Sequence, residues 1–256
     1  MASSSGQKDL MIDSKKLRRR FIRSALVGVL FFALVAVLYT RVSDADTIDD
    51  ASPLARFFFR VNETVGSALQ SETRLSVEKP KPQARKKPRV NGDEGLLSPL
   101  DLKNYTLEAS SGLQQIHFKI DDITSKPAVE VSTDFKCIEG WSEVIHYKGL
   151  RFSDFMDTFK LGKKSDGTYY KYVGLETPDG KYYVSIDMKS MRHPQTVLAY
   201  EMNEAPLSIE NGAPLRLIIP IKYGVKSIKR IGHIYFSDER PQDFWTEQGY
   251  DWYSGL

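Results

Sequence analysis

The sequence predicts an α+β fold: a strand-rich body from about Asp93 to Leu256, behind an apolar N-terminal helix and a Pro/Lys-rich tether. Three observations carry this expectation. Beyond Asp93, short apolar-alternating runs rich in Val, Ile, Tyr and Phe are separated by the turn dipeptides Asp166-Gly167, Asp179-Gly180 and Asn211-Gly212. Ser24–Thr40 carries no charge and follows Lys15, Lys16, Arg18, Arg19, Arg20 and Arg23. Between these regions, residues 79–89 mix Lys, Arg and Pro and hold no acid. A chain of 256 residues has room for one such domain with appendages, and 41% hydrophobic residues suffice for a packed core. Collagen-like, disordered and multi-span membrane classes are excluded by composition.

The net charge of +3 hides an asymmetry, because residues 1–24 and 41–92 are basic while 93–256 holds more acids than bases. A mildly acidic body lacks the cationic face that displaces counterions from a nucleic acid, so no nucleic-acid partner is expected. Cys137 is the single cysteine, which excludes an internal disulfide and any zinc site with two or more thiolates.

Residues 1–23 read as a basic segment on the cytoplasmic side, and 24–42 as a transmembrane or signal-anchor helix. A buried core helix would show a polar face, and this stretch has none. Arg18-Arg19-Arg20-Phe21-Ile22-Arg23 resembles a twin-arginine export signal, which serves folded proteins with cofactors already loaded, although Leu17 stands where Ser or Thr is commoner. Ser43-Asp44-Ala45 offers a cleavage site, but the long apolar run favours retention as an anchor. The expected location is the inner membrane, single-pass, with the body facing the periplasm.

Residues 43–92 read as a flexible tether without sustained periodicity. Within it, Arg56-Phe57-Phe58-Phe59-Arg60 is amphipathic, and two readings stay open: a patch at the membrane surface, or a local helix packed on the body. Lys79-Pro80-Lys81-Pro82 and Arg85-Lys86-Lys87-Pro88-Arg89 read as a semi-rigid spacer, because proline fixes an extended backbone and like charges repel. Behind an export signal, this outweighs a nuclear-localisation reading of the same run.

In the body, strands are expected at His117–Ile120, Val129–Val131, Tyr170–Leu175, Tyr182–Ile186, Leu215–Ile221 and Ile231–Phe236. Asp179-Gly180 joins two of them as a hairpin. Phe152–Phe159 places apolar residues at i, i+3, i+4 and i+7 and predicts a short helix with Ser153 as its N-cap. Val144–Arg151 is too mixed to assign.

Walker, Rossmann, nucleophile-elbow and HExxH motifs are missing, and the four histidines show no metal-ligand spacing. Cys137, in Asp134-Phe135-Lys136-Cys137-Ile138-Glu139-Gly140-Trp141, ends an expected strand. A lone cysteine is usually a small buried hydrophobe. An exported one also risks oxidation unless a soft metal commits its thiolate, so both readings stand. Asn211-Gly212-Ala213-Pro214-Leu215-Arg216 and Lys222-Tyr223-Gly224-Val225-Lys226-Ser227-Ile228-Lys229 combine turn amides with cations, which suits either a phosphate cradle or a solvated surface.

Together these residues resemble the molybdopterin-binding domain of the sulfite oxidase superfamily, and within it most the catalytic subunits of periplasmic protein-methionine-sulfoxide reductases. The matching stretches are Lys136–Ser142, Lys171–Thr177, His193–Leu198 and the run from Asn211 through Arg216 to Lys222-Tyr223-Gly224 and Ser227–Lys229. The resemblance implies a sulfite-oxidase-type fold and a molybdenum–molybdopterin cofactor. It implies Cys137 as thiolate ligand to molybdenum, with Glu139 close to the metal as a proton shuttle. Thr177, Asn211, Arg216, Ser227, Ile228 and Lys229 would hold the pterin and its phosphate. The family's upstream Asn and Tyr-Glu are not found, with Asn104-Tyr105 a loose candidate, and a short Pro178-Asp179-Gly180 turn replaces a longer loop.

The expected function is therefore oxygen-atom transfer by a membrane-anchored periplasmic oxidoreductase, reducing a small-molecule or protein-bound sulfoxide such as methionine sulfoxide. No Cys-x-x-Cys-His haem motif occurs, so electrons would come from a membrane or periplasmic redox carrier, expected to be a haem-containing protein. Two alternatives remain: oxidation of sulfite or another oxyanion, and a cofactor-free remnant serving as a membrane-tethered binding or assembly subunit.

Overall fold

The computed structural model describes residues 14–43, 49–71 and 74–256. Two compact units result, one holding the N-terminal helix and the other consisting mainly of Ala55–Leu256. Asp44 and Ala45 of the expected cleavage site lie outside the described residues.

Helix α1 (Ser14–Ser43) carries the basic cluster in its first turns and the apolar run through its middle. Among the described residues it is one helix long and apolar enough to cross a membrane, over the 27 residues Lys15–Arg41. At 1.5 Å per residue these cover about 40 Å, more than a hydrocarbon core requires.

Helix α2 (Pro53–Leu69) occupies part of the stretch expected to be a tether. The helical period was obscured by Arg56 and Glu63, which interrupt the apolar residues. Both turn to the body: the buried Arg56 guanidinium donates to Thr246 O at 2.6 Å and Tyr250 O at 3.2 Å, and Glu63 pairs with Arg240. The basic run that follows is no self-repelling spacer either. Acids of the body neutralise it, with Lys79–Asp134 at 3.2 Å and Arg85–Glu143 at 3.2 Å. Backbone bonds reinforce the contact, from Lys79 N to Ser132 O (2.7 Å) and from Arg85 N to Val144 O (2.9 Å). Within the run itself the cations have only one another as neighbours, because their partners lie about fifty residues downstream.

The body is α+β and strand-rich, as expected. In chain order it holds β1 (Thr106–Ser111), β2 (Gln114–Lys119), α3 (Ile120–Thr124), β3 (Val129–Lys136), β4 (Ser142–Arg151), α4 (Phe152–Phe159), β5 (Tyr172–Glu176) and β6 (Tyr183–Asp187). There follow α5 (Met188–Met191), β7 (Val197–Met202), β8 (Ala205–Pro206), β9 (Arg216–Ile218), β10 (His233–Ser237) and α6 (Phe244–Glu247). One sheet runs β2-β1-β10-β5-β6, with β1 and β10 parallel, and the other runs β3-β4-β7-β8 with β9 also on β7. The larger core draws on both sheets and on α4 through Leu107, Phe152, Phe155, Val173, Leu198 and Ile234. Val197 and Ala199 of β7 face a second, smaller cluster with Ile145 and Tyr147, so β7 is buried on both faces.

The Asp179-Gly180 hairpin is present, with Gly180 at φ +66°. Helix α4 has the expected span, but Arg151 stands at its N-cap and the Ser153 hydroxyl turns to Asp154. The unassigned Val144–Arg151 belongs to β4. Its alternation is broken by a bulge at Lys148/Gly149, where a Cβ on Gly149 would lie 2.1 Å from Leu198 O.

A buried ion pair ties the second half of the body together. Lys226 Nζ bonds Asp243 Oδ2 and Ser185 O, and both side chains of the pair are almost wholly buried. Burial pushes the Lys226 ammonium below its usual value, and Asp243 opposes that shift. Removing one partner strands the other charge, so Asp243→Asn is expected to cost about 3–5 kcal/mol in urea unfolding, and adding Lys226→Met is expected to recover part of the loss. An Asp243→Asn midpoint equal to the parent's would show that the pair holds nothing together.

Candidate active site

The strand β3 ends at Lys136 and β4 begins at Ser142, so Cys137–Trp141 form the connection between two paired strands. The turn is closed by Cys137 N donating to Trp141 O (2.9 Å) and Gly140 N donating to Cys137 O (3.0 Å). Gly140 sits at φ +89°, which a side chain would strain. This geometry places Cys137 in the wall of a cleft.

Around the thiol the polar contacts are few and specific. Asn91 Nδ2 donates to Cys137 Sγ at 3.8 Å and to Glu139 Oε1 at 3.2 Å, and Trp141 Nε1 donates to Glu139 Oε2 at 3.0 Å. These two donors, Trp141 first, hold the Glu139 carboxyl below its usual pKa. The Arg89 guanidinium lies 5.2 Å over the Trp141 ring at the mouth.

The cationic part of the lining comes from the segment around β9. Arg216 is buried, with Nη1 donating to Asn211 O (3.2 Å) and Nη2 to Ser227 O (3.3 Å), and its guanidinium stands over the Phe135 and Tyr147 rings. Its Nε is buried without a hydrogen-bond partner. Lys229 Nζ donates to Asn91 O (2.7 Å), Gly92 O (2.5 Å) and Glu210 O (3.4 Å). Burial first, and the Arg216 charge second, lower the Lys229 pKa to about 8. Gly224 lets the Phe135 ring pack against the backbone of the cleft wall, since a Cβ there would lie 2.5 Å from the ring.

Of the residues singled out from the sequence, Cys137, Glu139, Asn211, Arg216, Ser227 and Lys229 line this one cleft. Thr177 and Ile228 do not. The Thr177 hydroxyl donates to Asp179 and accepts from Tyr182 N, which fixes the turn that brings Tyr182 to the cleft. Ile228 is a core residue that pins its segment between Ser227 and Lys229. Asn104 bonds Asp101, and the buried Tyr105 hydroxyl donates to Ile231 O, so neither supplies the upstream contact. Asn91 does. Sequence reasoning placed it in the tether, and the Asn91-Gly92 dipeptide was the available signal of a turn there. Trp245 and Tyr250, which also line the cleft, gave no signal because their closeness is purely tertiary.

A soft sulfur donor facing an unpartnered guanidinium nitrogen, an ammonium and side-chain amides suits a metal joined to an anionic organic group. Comparison with known proteins agrees. The family described as oxidoreductase molybdopterin binding domain matches residues 96–245. The chain is 31% identical to the protein-methionine-sulfoxide reductase catalytic subunit MsrP of Campylobacter jejuni, over 56% of this chain and 52% of that protein. It is 36% identical to MsrP of Xanthomonas axonopodis, over 44% of this chain and 38% of that protein. A protein of Azospira oryzae, provisionally named protein-methionine-sulfoxide reductase subunit YedZ1, is 33% identical over 61% of this chain and 58% of its own length. The chain thus spans about half the length of these curated relatives, or less. Among solved structures, the sulfane dehydrogenase SoxCD of Paracoccus pantotrophus shares the fold, at a TM-score of 0.50 and 18% identity, over 66% of this chain and 46% of that one. By the match over most of its body, this chain belongs to the oxidoreductase molybdopterin-binding domain family of the sulfite oxidase superfamily.

Proposed function

We propose that the chain is a molybdenum–molybdopterin oxidoreductase that reduces a sulfoxide such as methionine sulfoxide, free or within a protein. The observation that carries this reading is the Cys137 thiol in one cleft with Arg216 and Lys229. Cys137 Sγ holds the metal, while Arg216, Asn211, Ser227 and Lys229 hold the pterin and its phosphate. The bound group supplies oxygen-atom transfer, in which a sulfoxide takes up two electrons and two protons to give a thioether and water.

The chain's own residues position and protonate. Asn91 orients the thiolate by donating to it, and links it to Glu139. Glu139 is an exposed carboxylate with a lowered pKa, so it rests ionised and relays solvent protons inward. Phe135, Ile138, Trp141 and Tyr147 give the cleft an apolar, aromatic surface. That surface suits a neutral sulfoxide with a thioether tail better than a sulfite anion. The oxyanion reading would need several cations around the substrate, and the cleft's arginines are Arg89 at the mouth and Arg216, which is assigned to the pterin. The family match over residues 96–245 supports a bound pterin over the cofactor-free reading.

The relatives' names support a sulfoxide substrate. Helix α1, with paired arginines before its apolar run, supports twin-arginine export and a single-pass anchor in the inner membrane, body toward the periplasm. Electrons then arrive from a membrane or periplasmic carrier, and a haem protein fits that role.

Cys137→Ser is expected to keep its fold and its pterin but lose sulfoxide turnover and the molybdenum(V) resonance, because a hydroxyl cannot replace a soft ligand. A mutant that melts early yet turns over normally per bound pterin would return Cys137 to the core. Arg216→Ala removes charge-assisted contacts of about 1.5–3 kcal/mol, so pterin content should drop by about one to two decades, with Arg151→Ala unchanged as the control. Equal pterin in both proteins would contradict the cradle. Lys229 has its pKa lowered from the ordinary lysine value of about 10.4 to about 8, so it is charged below that pH and neutral above it. Pyrophosphate affinity of the cofactor-free protein, read by calorimetry, should therefore hold up to about pH 8 and weaken above it by up to tenfold per pH unit, whereas Lys229→Arg should stay flat. An unchanged slope in the parent protein would remove Lys229 from the site.

A further inference from the structure

Helix α2 is amphipathic in an inverted sense. Its polar side holds the body: Arg56 bonds the carbonyls of Thr246 and Tyr250, Asn62 donates to Asp251, Glu63 pairs with Arg240, and Lys189 donates to Ser67 O at 3.2 Å. Gly66 lies against the Tyr253 ring, with no room for a Cβ. The opposite side carries Phe57, Phe58, Val61, Val65 and Leu69, between 43% and 63% exposed. A helix packed on a soluble body ordinarily buries its apolar stripe and exposes its charges. Here rigid polar contacts lock the stripe outward, so it cannot turn in to hide. Val65 and Leu69 continue into a shallow groove with the exposed Leu75, Val77 and Leu256.

What covers this face is indicated by the chain itself. Nine residues, 44–52, separate the end of α1 at Ser43 from Pro53. Fully extended they reach at most about 35 Å. If α1 sits in a bilayer, α2 stays within that distance of the point where the chain leaves it. The adjacent Phe57 and Phe58, an aliphatic continuation and the exposed Arg60 beside the stripe match the composition of helices that lie at a lipid interface.

We infer that α2 is an interfacial helix whose Phe57, Phe58, Val61, Val65 and Leu69 rest in the headgroup region of the bilayer, fixing which side of the body faces the membrane. The inference rests on reading α1 as an anchor.

The test uses the full chain reconstituted in vesicles of phosphatidylethanolamine and phosphatidylglycerol with a trace of tritiated phosphatidylcholine. The photoreactive residue p-benzoylphenylalanine replaces Phe58 in one protein and Leu113, the fully exposed tip of the β1–β2 hairpin, in another. Retention through a carbonate wash is measured first. Retained protein that yields several-fold more radiolabelled lipid adduct from position 58 than from 113 is the expected result. Retained protein with equal adduct at both positions overturns the interfacial helix and leaves the anchor standing. An adduct between two copies of the chain at position 58 overturns it in favour of a protein interface. Release of the protein by carbonate removes the anchor reading, and this inference with it.

Discussion

Four buried cations lie within fifteen residues of one another, and giving them partners organises the body. Arg216, Lys222, Lys226 and Arg230 are each at most 4% exposed. A charge in such surroundings is tolerated only with dedicated partners. Lys222 finds Tyr253 O and Asp187, Lys226 finds Asp243 and Ser185 O, and Arg230 finds Leu96 O and Ser98 O. The segment is thereby fastened to the hairpin after β5, to the C-terminal residues and to the stretch before β1. None of these can leave without orphaning a charge.

This fastening also sets the character of the cleft. Arg216 and Lys229 are oriented by carbonyl oxygens, which fix geometry without cancelling net charge. Glu94 shares the cleft and tempers the Lys229 shift, but the guanidinium keeps one nitrogen unspent. Positive potential is thus held ready in a lining that also carries the thiol, with no rearrangement needed to create it.

Local pattern made much of this readable in advance. The hairpin at Asp179-Gly180, the α4 period and the charge-free run of α1 each express one element's own geometry. Cys137 and the Asn211–Lys229 stretch stood out at a strand end and at glycine turns, but local pattern left their roles open and only the family resemblance joined them in one site. What escaped depended on distant partners. The period of α2 was masked by Arg56 and Glu63, whose partners lie near the C-terminus. β4 was masked by its bulge at Gly149, set by the approach of β7. Asn91 looked like the end of a linker because Cys137 and Lys229, which give it a role, are distant in sequence. The bond from Tyr182 N to the Thr177 hydroxyl, which sets the turn beside the cleft, left no mark in the local pattern.

The strip from Glu78 to Arg89 has a consequence for solubility. β3 is an edge strand, and an uncovered edge invites pairing with another chain. Here Glu78 bridges Thr133, Lys79 N takes Ser132 O, and basic side chains answer Glu130, Asp134 and Glu143. The strip therefore caps a sheet edge as well as leading to Asn91. The stretch that matches the family begins at residue 96, downstream of the strip. A fragment trimmed to that boundary would retain the shared domain by sequence, yet expose a sticky strand and lose one wall of its own pocket. The folding unit of this chain begins upstream of the stretch that matches the family.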